Sequence, residues 1–201
     1  MEEKLAELYG ELSELIPDEL AEDFVGRGYA KGKYYDGEET RILVVEKVPR
    51  PEAEAAEHHH GEDEKDFSGV VRHIARHLLP DAKDNWQERI AWTYLYKLAP
   101  LKGKPQPFLY EKQKALCGEI LRAEIELLRP THVLFCTGWG SVWDFGFPLS
   151  SLLKGEAVEG WGEWENGAKL IVTRYAVRKP EEKFAHDILE KIATLEQLEK
   201  E

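Results

Sequence analysis

Residues 91–140 read AWTYLYKLAP LKGKPQPFLY EKQKALCGEI LRAEIELLRP THVLFCTGWG, and this stretch decides the fold. The run from Ala91 to Leu98 is apolar and aromatic, the composition of a strand. Pro100, Pro105 and Pro107 then bound a basic loop. From about Phe108 to Leu128 the spacing predicts a helix, with Leu116, Ile120, Ala123 and Leu127 on one stripe and Arg129-Pro130 as its stop. His132 to Thr137 is a second apolar strand, opening on Gly138-Trp139-Gly140. Strand, helix, strand is the unit of a parallel sheet, because strands running the same way need a crossover between them.

Outward from this block the same alternation continues. Leu5, Leu8, Leu12 and Leu15 predict an amphipathic helix over 4–16, stopped by Pro17. Asp36-Gly37 is a tight-turn signal that delivers the β-branched strand Arg41 to Val45. Val70, Val71, Ile74 and Leu78 predict a helix ending at Pro80. Asn166-Gly167 predicts a hairpin between strands near 158–165 and 168–175, and Phe184, Ile188, Ile192 and Leu195 predict a closing helix. The expected fold class is α/β, a three-layer α/β/α sandwich with a central, mainly parallel sheet. At 201 residues it is expected to be one domain spanning 1–201, with an acidic, His-containing insert at about 50–65.

The net charge of −12 is unevenly spread. Residues 1–66 hold 8 basic and 20 acidic residues, whereas 67–201 hold 19 of each, so the whole excess lies in the first third. Within the neutral remainder, Lys97 to Lys114 carries five lysines against Glu111, and 169–183 gathers Lys169, Arg174, Arg178, Lys179 and Lys183. Such local stripes suffice to contact phosphates. They also read as a mixed, solvated surface. Neither a membrane span nor a signal peptide is visible, so a soluble, cytoplasmic protein is expected. Cys117 and Cys136 read as buried thiols, no cofactor is called for, and no metal set is assembled.

The central block resembles the middle of the uracil-DNA glycosylase superfamily. That family's "I-T-N-x-x-K" strand matches Trp92-Thr93-Tyr94-Leu95-Tyr96-Lys97, its helix "C…L…E-I…L-R-P" matches Cys117, Leu121, Glu124-Ile125 and Leu128-Arg129-Pro130, and its "V-I-V-A-L-G" strand matches Val133 to Gly138. The resemblance extends over roughly Arg41 to Ile192, including Val45-Glu46-Lys47-Val48-Pro49-Arg50 and Asp66-Phe67-Ser68-Gly69. It implies a glycosylase-like domain that flips a base out of DNA and cuts its N-glycosidic bond.

Three departures alter that expectation. Tyr94 stands where the family's base-reading Asn would be, and a single hydroxyl cannot replace an amide that donates and accepts. Lys47 stands at the family's acidic position, which leaves Glu46, Glu52 or Asp66 as candidate carboxylates, or Lys47 itself as a Schiff-base nucleophile. The family's "H-P-S" motif corresponds to 173–180, which holds no His; Arg178 or Tyr175 would donate to the leaving base, with Arg174 and Lys179 on phosphates. Phe67 is the candidate stacking ring, or equally a core residue at a helix start, and Tyr94 with Tyr175 would complete the base pocket. Lys102 and Lys104 in the basic loop, and Ser141 after the Gly-rich turn, are further candidate phosphate contacts. His58, His59 and His60 can supply an imidazole or form a solvated cluster.

The expected function is therefore a glycosylase acting on a modified or damaged base rather than plain uracil, in repair or anti-phage defence, with DNA as partner. The alternatives are a catalytically silent nucleic-acid or nucleotide-binding module on the same fold and an unrelated small-molecule enzyme.

Overall fold

The computed structural model describes residues 1–49, 67–79, 81–82, 84–102, 107–152, 157–174 and 180–198. Its elements run α1 (Glu2–Ser13), β1 (Phe24–Gly26), β2 (Ala30–Lys31), β3 (Ile42–Glu46), α2 (Ser68–Leu78), β4 (Ala91–Tyr94), β5 (Leu98–Pro100), α3 (Pro107–Leu128), β6 (His132–Phe135), the single turn α4 (Trp139–Val142), β7 (Leu149–Ser151), β8 (Val158–Glu163), β9 (Lys169–Thr173) and α5 (Glu181–Leu198).

The fold is mixed α/β around a seven-stranded mixed sheet ordered β2-β4-β3-β6-β9-β8-β7. Its middle four strands, β4-β3-β6-β9, are parallel, while β2 joins β4 and the hairpin β7-β8 joins β9 antiparallel. From β3 the chain steps to β4 on one side through α2, then back past β3 to β6 through α3. Right-handed crossovers in opposite directions place their helices on opposite faces. The interior follows this division. Leu43, Val45, Val133, Phe135, Leu170 and Val172 pack with the buried residues of α1 and α3. Ile42, Val44, Leu134, Cys136 and Ile171 pack with those of α2 and α5. No helix among the described residues is long and apolar enough to cross a membrane.

One local expectation is corrected. The strand expected over Ala91 to Leu98 is two strands: β4 ends at Tyr94, and β5 pairs antiparallel with β1 in a separate two-stranded sheet. The break has a cause in α3, where the buried Gln113 side chain accepts from the Leu98 amide at 2.9 Å and donates to its carbonyl at 3.0 Å, drawing Leu98 out of the main sheet. The Asp36-Gly37 tight turn is as expected, a 3-10 turn that leads into β3, and the short β2 before it pairs with β4. The Asn166-Gly167 hairpin is as expected, with Gly167 at φ 83°, the left-handed conformation glycine tolerates.

Candidate functional site

In an open parallel sheet, ligands sit beyond the carboxyl ends of the strands where the winding reverses. Here the reversal lies between β3 and β6, and the backbone stays bonded up to that edge. The Leu95 amide donates to Glu46 O at 2.7 Å, Tyr96 to Lys47 O at 3.0 Å, Cys136 to Val45 O at 2.9 Å and Gly138 to Thr173 O at 3.1 Å. Gly138 turns the chain away from β6 at φ 75°, which an L side chain would strain.

Alternation along β3 divides the sequence candidates between the two faces of the sheet. Glu46 follows Ile42 and Val44 on the α2/α5 side, and it is the register partner of Tyr94, which follows Trp92 on that side. Both are half-buried. Phe67 joins the same side at the start of α2, but only 8% of it is exposed. Its ring meets Phe184 edge-on with centroids 6.0 Å apart. A ring so engaged packs the core and has little face to offer a base.

Lys47 points the other way. Its ammonium lies 5.5 Å from the centroid of the Tyr110 ring on α3, a cation–π contact, and it has no carboxylate partner among the described residues. Tyr110 meets Tyr96 at 4.5 Å, and Tyr96 meets Phe145 at 5.3 Å. Burial first, with Asp144 and Glu111 adding to it, pushes the Tyr96 phenol up to about 12. It therefore stays a neutral donor at ordinary pH.

Arg174 leaves β9 half-buried and pairs with Glu159 on β8, Nε to Oε1 at 3.2 Å. The other oxygen of Glu159 accepts from the Trp139 amide at 2.9 Å. The register slips between Val158 and Gly160, so Glu159 is the extra residue of a β-bulge. Bulges re-aim a side chain, and this one sends a carboxylate to the first amide of the α4 turn. The Gly138-Trp139-Gly140-Ser141 turn thus already holds an anionic group from its own chain. Ser141 is half-buried, and its amide donates to Gly138 O at 3.1 Å. Lys102 is exposed beyond β5. Glu52, His58, His59, His60, Asp66, Lys104, Tyr175, Arg178 and Lys179 lie outside the described residues.

Beneath the edge on the α3 side lies a buried polar network that motif matching left unpaired. Lys97 and Glu124 are both fully buried, with Nζ 2.7 Å from Oε2. Thr93 bridges them, accepting from Lys97 at 2.6 Å and donating to Glu124 at 2.7 Å, and the Tyr9 hydroxyl of α1 donates to the second Glu124 oxygen. Burial draws the Lys97 pKa below its usual value, and Glu124 opposes that shift. Thr93, Lys97 and Glu124 are three of the residues that carry the glycosylase resemblance, and here they form one hydrogen-bonded unit below the strand end that bears Tyr94.

Comparison with known proteins found no matching family model and no matching curated protein. What the geometry of the site offers is a half-buried carboxylate beside a tyrosine on one side of the sheet edge, and on the other a lysine over an aromatic ring with no carboxylate partner among the described residues.

Proposed function

We propose that this protein is a divergent uracil-DNA glycosylase-like enzyme, built on that superfamily's three-layer sandwich, which removes a modified or damaged base from DNA. The observation that carries the reading is the pairing of Glu46 with Tyr94 at the carboxyl edge next to the winding reversal. A glycosidic hydrolysis needs a base for water and a group that meets the nucleobase. In the proposed step the Glu46 carboxylate takes a proton from water while the oxygen bonds to C1′ of the sugar. The C1′–N bond breaks, and its electron pair leaves on the base, which takes a proton from solvent. Tyr94 lines the base pocket, where its bulk and single hydroxyl suit a base other than uracil. The Thr93–Lys97–Glu124 network supports the family reading, since matched positions far apart in sequence serve one structural purpose.

One observation favours a second reading, a silent nucleic-acid-binding module. Phe67, the matched stacking position, is occupied in core packing against Phe184. Single- and double-stranded DNA carrying uracil, hypoxanthine or substituted cytosine, treated with the protein and then with alkali, separates the two. The enzyme yields strand cleavage on at least one substituted base; cleavage of none, with binding retained, leaves the module.

A further inference from the structure

We propose that the α3 side of the sheet edge is a track for single-stranded nucleic acid, with Lys47 contacting a phosphate and Trp143 offering its face to a base. The inference rests on the reading that this protein handles DNA and adds where the strand runs.

Lys47 lies over the half-buried Tyr110 of α3, and behind that ring the buried Tyr96 and Phe145 carry the packing on to the 3-10 turn Trp143–Phe145. The same turn is tied to α3 by the Lys114–Asp144 ion pair, one helical turn beyond Tyr110. Trp143 is 60% exposed and makes no ring contact among the described residues. Lys114 is paired with Asp144, whereas Lys47 has no carboxylate partner among the described residues.

The two groups together select the occupant. A free anion would use the lysine and ignore the indole. An apolar peptide would use the indole and leave the cation unanswered. A single strand presents a phosphate and an unstacked base face at every nucleotide and so answers both, whereas a duplex hides its base faces. Tyr110, held under the Lys47 ammonium, keeps that cation at the surface.

The test is fluorescence anisotropy of a labelled oligothymidylate with the full chain, alongside Trp143→Ala, Trp143→Phe and Lys47→Met. Loss of one stacking platform predicts roughly tenfold weaker binding for Trp143→Ala, with most affinity restored in Trp143→Phe. Loss of one phosphate contact predicts that Lys47→Met lowers the slope of log affinity against log salt by about one. Trp143 is exposed, so thermal melts should match the parent and exclude misfolding as the cause. Wild-type affinity in both Trp143→Ala and Lys47→Met overturns the track while leaving the glycosylase reading intact. So does a Trp143→Ala effect seen only in self-association by sedimentation. No oligonucleotide binding by the parent protein overturns both. Tenfold loss in Trp143→Ala with no base released from any substrate supports the track and removes the glycosylase reading.

Discussion

Glu124 is the residue whose environment is most demanding. It is fully buried on α3 and depends on Lys97, Thr93 and Tyr9 to satisfy its charge. Removing one member of a buried pair strands the other, so Lys97→Met and Glu124→Leu should each lose about 3–5 kcal/mol of unfolding free energy in urea titrations. The double variant should recover most of that loss, because two apolar side chains leave no orphaned charge. Cys117 adds a pH signature. Burial pushes its thiol from the ordinary 9.0 up to about 11. A raised folded value means the contribution is complete below the unfolded value and disappears as pH rises through about 11. The stability advantage of the parent over Cys117→Ala should therefore shrink between pH 9 and 11, and an advantage constant across that window would refute the assignment. Glu124 escapes the sequence reading because the stripe is drawn through Leu116, Ile120, Ala123 and Leu127, whereas the buried face also takes in Cys117, Leu121, Glu124 and Leu128, and a carboxylate there requires a buried cation. Glu159 escapes it because its aim depends on a register slip that no periodicity encodes.

At the scale of elements, the hairpin β8-β9 and the α4 turn are fitted together by a glycine and a bulge. A Cβ on Gly160 would lie 2.5 Å from the Trp139 ring, so Gly160→Ala must displace the indole. Overpacking of this kind should cost about 1–3 kcal/mol and change the tryptophan fluorescence. Glu159→Ala removes the carboxylate from both the Trp139 amide and Arg174; a loss of about 1 kcal/mol is expected from the lost cap. Equal stability of Glu159→Ala and the parent in thermal melts would show that the bulge contributes nothing through this residue. The longer elements were legible because their periodicity is strong: α3 begins within a residue of its expected start, and β6 and β9 lie within their predicted runs. The partner of β2 was not legible, because a two-residue strand has too little pattern to choose between β3 and β4.

For the molecule as a whole, the order β4-β3-β6-β9 concentrates Glu46, Lys47, Tyr94, Thr137 and Arg174 at one edge of one sheet. The sequence could place these residues at strand ends but not on faces. Adjacent residues of a strand point oppositely, and only the register separates Glu46 and Tyr94 from Lys47. That separation changes the chemistry: the carboxylate and the lysine, first weighed as rival catalytic groups in one pocket, face opposite layers. In the proposed reaction Glu46 is the base for water in cleaving a modified nucleotide. The direct measurement compares base release by the parent and Glu46→Gln from DNA bearing the substituted base that the parent cleaves, with binding followed in parallel. Base release by Glu46→Gln should fall at least about a hundredfold with affinity nearly unchanged. Release by Glu46→Gln at the parent rate, or release by neither protein on any modified base, would contradict the proposed reaction.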